Sequence, residues 1–204
     1  MERLKAEGMA DFAHALPWVL SHEVRGWPTT RDGALVEDLD AAMSLLRFRG
    51  LSAWFSNDPL DHGGATAFGL TLRTATPHGL GMVEDLQAIS AEKLAEVYRA
   101  EFWRFDQVDE AQVAMKLLDM AVNTSLRTAV RMLQAQLNAL GAGLAEDGIW
   151  GPATEGSVNA VEPNHLLALL VEAAVAHYRA IVQRKPDQGR YLAGWLARAA
   201  EVPA

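Results

Sequence analysis

The carboxylates best suited to acid–base chemistry in this chain are Glu23, Asp58 and Asp61. Glu23 follows Val19 and Leu20 at the expected end of an apolar helical stripe. Apolar neighbours and the negative end of a helix dipole both disfavour a charged carboxylate. A carboxyl so placed suits a general acid, which must keep its proton near neutral pH. The plain alternative is a solvated glutamate at a frayed helix end. Asp58 and Asp61 fall in the stretch Ser56-Asn-Asp-Pro-Leu-Asp-His-Gly-Gly-Ala-Thr-Ala-Phe-Gly-Leu-Thr71. In such a loop aspartate ordinarily bonds to its own backbone as an Asx-turn. The functional alternative is that one of the two faces Glu23 across a cleft, because glycoside hydrolysis commonly pairs a protonated acid with an ionised carboxylate.

Thr66 and Thr71 could hold a water or a sugar hydroxyl there, although threonine is also simply a good strand former. Asp58, Asp61 and His62 are conceivable metal ligands, but they lack regular spacing and a further histidine nearby. His22-Glu23 also lacks the second histidine of a zincin helix. No metal and no cofactor is therefore expected. The chain has neither a glycine-rich phosphate loop nor a Gly-x-Ser-x-Gly elbow. Tyr98, Trp103 and Trp150 could stack on sugar faces, although aromatics at helical spacing more often build core. Asn123, between two expected helices, is either a cap or a donor to substrate.

The elements that must position these groups are mostly helical. Phe12, Leu16, Val19, Leu20 and Glu23 share one helical face, with Asp11 as N-cap and Pro17 as a kink or a delayed start. Leu35 to Phe48 reads as an amphipathic helix. Apolar runs at Trp54-Phe55 and Leu70 to Leu72 flank the polar stretch and predict an irregular hairpin. Ser90 caps a helix whose apolar face carries Leu94, Val97, Tyr98, Phe102 and Phe105. Further helices are expected over 112–121, 126–140, 162–184 and 191–200, with Asp147-Gly148 as a tight turn and Gly151-Pro152 opening a short helix. The fold class is mainly α, with one small β-hairpin near residues 53–72.

Composition bounds the function classes. A chain of 204 residues with 50% apolar and 22% charged residues can bury a full core. A net charge of −8, without a long Lys/Arg stripe, argues against a general nucleic-acid binder. There are no cysteines, so neither a disulfide framework nor a thiolate metal site is possible. Residues 1–10 lack an apolar core of signal-peptide length. Leu166 to Val182 is very apolar but includes Glu172, His177 and Arg179, which reads as a core helix without stable membrane insertion.

At these residues the chain resembles the glycoside hydrolase family 108 muramidases. In that family a helix ending in Glu-Gly-Gly precedes a loop of the type Asn-Asp-Pro-x-Asp-Pro-Gly-Gly-x-Thr-Asn-x-Gly-Ile-Thr, and Asn57 to Thr71 is similar to that loop. The second half resembles the companion peptidoglycan-binding module through Asp119-Met-Ala-Val-Asn123, Leu133-Gln134, Asp147-Gly-Ile-Trp-Gly-Pro-Ala-Thr154, and Gly194-Trp195 with Arg198. The resemblance implies a lysozyme-like helical fold that cleaves the glycan strand of peptidoglycan. It implies a catalytic region at 1–108 and a binding module at 109–204, packed as one unit. It assigns Glu23, Asp61 and Thr66 as catalytic residues and leaves Asp58, Tyr98, Trp103 and Asn123 as substrate-binding candidates.

The chain departs from the family where Val24-Arg25 replaces Gly-Gly, His62 replaces proline and Ala67 replaces asparagine. Residues 24–55 form an apparent insertion that could cover the cleft, recruit a partner or mark altered activity. The leading expectation is an endolysin-type muramidase acting on peptidoglycan glycan strands. It would be made in the cytoplasm without a signal peptide and reach the periplasm or cell wall through a holin or a secretion system. The alternatives are a non-catalytic wall-binding or secretion-assisting protein and a phage structural component.

Overall fold

The computed structural model describes residues 11–57 and 64–203. The chain divides into two units, 16–101 and 1–15 with 102–204.

In the first unit, the part of α1 (Phe12–Glu23) from Leu16 onward brings Leu16, Val19 and Leu20 into the core and ends at Glu23. Pro17 lies inside α1, so the helix starts before the proline and is not delayed by it. The chain then turns at Gly26 and makes an isolated bridge between Thr29 and Leu35. That bridge shortens the helix expected from Leu35. The helix α2 (Leu39–Phe48) begins instead where Asp38 accepts a hydrogen bond from the Ala41 amide at 3.0 Å. Capping by a short acidic side chain outcompetes three residues of apolar periodicity. The buried stripe of α2 is Ala42, Met43 and Leu46.

The expected hairpin is a three-stranded antiparallel sheet of very short strands, β1 (Phe55–Ser56), β2 (Thr66–Ala67) and β3 (Leu70–Thr71), in that order. Phe55 pairs with Ala67, and Ala67 with Leu70. Phe68 and Gly69 form the tight β2–β3 turn, with φ of 49° and 79°. Both central residues at positive φ fit the turn twist that right-handed strands require. The short helices α3 (Leu72–Ala75) and α4 (Val83–Gln87) follow. Helix α5 (Ala91–Phe102) starts where the Lys93 amide donates to Ser90 Oγ at 3.1 Å, so the expected serine cap is present. Its inner face carries Leu94, Val97 and Tyr98.

The second unit is built around α6 (Ala111–Asn123), whose residues Val113 to Ala121 are all buried. Helices α7 (Leu126–Ala139) and α9 (Pro163–Arg184) pack on it, and α10 (Leu192–Ala200) packs on α9. Burying leucines such as Leu117, Leu133 and Leu170 contributes about 1.5–3 kcal/mol each. Among the described residues, α9 is long and apolar enough to cross a membrane by length and composition. Its Leu166, Leu167, Leu170, Ala173, Ala174 and Tyr178 are buried within the protein.

Two polar anchors on α7 hold the loop that leads to α8 (Pro152–Asn159). Gln134, 2% exposed, donates to Asp147 Oδ1, the Ile149 carbonyl and Thr154 Oγ1, and its own carbonyl accepts from the Gly148 amide at 2.8 Å. One turn later, Asn138 bonds the Leu144 amide and carbonyl. Gly148 has φ of 74°, and a Cβ there would lie 2.4 Å from the Arg127 carbonyl oxygen. The Asp147-Gly148 turn therefore requires its glycine twice over. Hydrogen bonds from the Ile149 amide and the Gln134 side chain hold the Asp147 carboxyl below the usual aspartate range.

Candidate functional site

Glu23 is the last residue of α1 and is half-buried. Its side chain lies on the β2–β3 turn. A Cβ built on Gly69 would sit 2.6 Å from Glu23 Cβ, 2.9 Å from Glu23 Cγ and 2.7 Å from the Tyr98 hydroxyl. Only a glycine allows the turn and the carboxylate-bearing side chain to approach this closely. Around them is an open cleft of about 190 Å³, lined by Glu23, Val24, Arg25, the segment Ser52 to Ser56, Thr66 and Gly69. A helix end and a small sheet thus set a carboxyl, a threonine and the aromatic rings of Trp54 and Phe55 around one space.

The turn itself is pinned from three sides. The Phe68 amide donates to the Trp54 carbonyl at 2.7 Å, and the Tyr98 hydroxyl donates to the Phe68 carbonyl at 3.0 Å. The Trp54 and Phe68 rings stack with centroids 4.8 Å apart and planes 13° off parallel. These bonds hold a phenylalanine in the left-handed region, where side chains other than glycine, Asn and Asp are uncommon.

The structure thus brings Glu23 and Thr66 to one cleft. Asp58 and Asp61 lie outside the described residues, as does His62. Tyr98 corrects its sequence reading as a sugar-stacking residue. It is 1% exposed, and its hydroxyl is spent on the turn backbone, so it supports the cleft from beneath. Trp103 belongs to the other unit and is 2% exposed, with its ring edge-on to Phe12 and Phe105. It has no face left for a ligand. Asn123, also in that unit, donates its amide to the Tyr178 hydroxyl at 2.5 Å, which ties α6 to α9 and accounts for the residue internally. Trp54, Phe68 and Gly69 were missed as site residues. The signal for the turn was present in Ala67-Phe-Gly-Leu70, an aromatic and a glycine between two apolar strand residues.

Gly69→Ala is expected to destabilise the first unit by about 2–4 kcal/mol, from left-handed strain plus the close contacts with Glu23 and Tyr98. Urea unfolding should show a lower midpoint with an unchanged slope. An unaltered midpoint would mean that the turn does not press on Glu23.

The fold and cleft define a helical protein with a carboxyl-bearing groove beside a short antiparallel sheet. Comparison with known proteins is consistent with this class. Residues 50–124 match the family model described as Glycosyl hydrolase 108, and residues 128–200 match the one described as Predicted Peptidoglycan domain. No curated protein matches the chain. Among solved structures, "Structure of Brucella abortus SagA" is similar over 93% of this chain and 96% of that one, with 23% identity and a TM-score of 0.57. At that identity the likeness is one of fold. The two matched segments follow one another along the chain, the glycosyl hydrolase match first and the peptidoglycan-domain match second. Glu23 lies upstream of the first matched segment, so its place in the site comes from cleft geometry.

Proposed function

We propose that this protein is a peptidoglycan hydrolase that cleaves the β-1,4 bond between N-acetylmuramic acid and N-acetylglucosamine. The observation that carries this reading is the Glu23 side chain seated on Gly69 in a cleft that Thr66 shares. It is joined by the match of the cleft's sheet to a glycosyl hydrolase model. Glu23 protonates the leaving oxygen of the scissile bond. Asp61 positions the attacking water or stabilises the oxocarbenium-like cation, and Thr66 orients that water through its hydroxyl. Carboxyl groups about 6.5–9.5 Å apart would invert the anomeric centre, whereas about 5–5.5 Å would retain it through a covalent intermediate. Asp58 contributes to substrate binding. In this scheme residues 1–108 carry the cleavage and 109–204 hold the wall. The chain reaches the wall from the cytoplasm through a holin or a secretion system, as an endolysin does.

The test is digestion of purified Gram-negative sacculi, followed by borohydride reduction and analysis of the released saccharides. The expected product carries reduced N-acetylmuramic acid at its end. Reduced N-acetylglucosamine or 1,6-anhydro ends would replace the muramidase assignment by a glucosaminidase or a transglycosylase.

A second reading, a non-catalytic wall-binding or secretion-assisting protein, is favoured by the replacement of Gly-Gly by Val24-Arg25 beside Glu23. Protein that co-sediments with sacculi and releases no saccharide would establish it.

A further inference from the structure

We propose that Arg47 is a positioning residue for the Glu23 cleft, and that residues 24–55 form a brace of the site rather than an appendage. The consequence for rate rests on the hydrolase reading above; the brace itself does not.

The last turn of α2 reaches both sides of the cleft. Arg47 lays its guanidinium over two rings at once, 5.5 Å from the Trp54 centroid and 5.5 Å from the Phe68 centroid. The same guanidinium donates a hydrogen bond to the Ile89 carbonyl, just beyond α4. Two residues later, Arg49 donates to the Gly26 carbonyl at 2.5 Å, in the turn that follows Glu23. One arginine thus holds the turn leaving the helix that bears Glu23. The other holds the sheet turn on which Glu23 rests. The segment also supplies the cleft wall from Ser52 to Phe55.

Arg47 acts where the backbone is most constrained. Phe68, under its guanidinium, is the non-glycine residue with positive φ among the described residues. Such a conformation persists only when its surroundings over-determine it. The Trp54 stack, two backbone hydrogen bonds and the Arg47 cover supply that restraint. Gly69 follows directly and touches the Glu23 methylenes, so a tilt of the turn displaces the carboxyl. Arg47 does not itself line the cleft, which makes its role one of positioning. A planar guanidinium can cover two rings while donating to a carbonyl, whereas a lysine keeps the charge and loses the plane.

The experiment pairs amide hydrogen exchange with steady-state kinetics on dye-labelled sacculi, using the full chain and the variants Arg47→Gln and Arg47→Lys. In Arg47→Gln, exchange at the Phe68 amide should quicken roughly tenfold, with the amides of Leu94 and Val97 in α5 unchanged. Its kcat should fall on the order of tenfold with KM within about twofold, because misplacement affects chemistry more than binding. Arg47→Lys should fall between the two and guards against a glutamine variant that fails to fold. Unchanged Phe68 exchange in both variants overturns the brace. Faster exchange with wild-type kcat overturns the positioning role. A wild type that releases no dye removes the hydrolase reading alone, and Phe68 exchange still decides the brace.

Discussion

Glu23→Gln is expected to reduce glycan cleavage by roughly 10²–10⁴-fold, the range by which a positioned general acid accelerates such a reaction. The substitution is close to isosteric. It keeps the methylenes that rest on Gly69, so the turn, its hydrogen bond from Tyr98 and the cleft shape should survive. An amide cannot give up a proton to the leaving oxygen, so the loss should fall on kcat while KM changes little. Initial rates of dye release from labelled sacculi measure the effect, and a thermal melt within a few degrees of wild type confirms folding. Equal rates in mutant and wild type would place the acid elsewhere. Gly69→Ala provides an independent check on the same geometry. It should lower activity while leaving every ionisable group intact, because the added methyl displaces what Glu23 leans on.

Much of this arrangement was legible in the sequence where a local rule decides the outcome. Glu23 ends α1 as the apolar stripe indicated. Ser90 and the Asp147-Gly148 turn do what their residue types require. The mainly helical class with one small sheet also follows from periodicity. What failed was what depends on packing. Tyr98 and Trp103 look like ligand-facing aromatics in a linear reading, but burial is a property of the assembled unit. Leu35 to Asp38 fit a helical period, yet the bridge to Thr29 and the Asp38 cap moved the start of α2. The segment 24–55 looked like an insertion because it has no counterpart in the motif it resembles. Nothing in the sequence announces that the Arg47 guanidinium covers two rings 7 and 21 residues away.

The same dependence on packing hid a buried anchor of the second unit. Lys116 sits in an apolar helical run and is fully buried, with Nζ donating to the carbonyls of Arg198, Ala199 and Glu201 at 3.3, 3.0 and 2.7 Å. A cation placed there satisfies the orphan carbonyls of α10 and meets the negative end of its dipole. Asp119, 3.6 Å away, offsets the buried charge and also accepts from Arg198 at 2.8 Å. Sequence reading picked out Asp119 and Arg198 as motif residues; the lysine between them is what closes the network.

Lys116→Met is expected to destabilise this unit by about 3–5 kcal/mol, as removal of one partner from a buried ionic network does. The corresponding fall in melting temperature is on the order of 10–20 °C. Burial holds the Lys116 amine below the usual lysine range, against the opposing pull of Asp119. Between that lowered value and the ordinary 10.5, the unfolded chain binds a proton that the folded chain has released. Stability from this residue therefore rises with pH across that window and is lost as pH falls through the lowered value. The deficit of Lys116→Met relative to wild type should widen as pH approaches 10.5, measured as paired denaturant midpoints over pH 7 to 10. A deficit that narrows with rising pH would mean that the folded state favours the charged amine, and that the carbonyls and Asp119 outweigh burial.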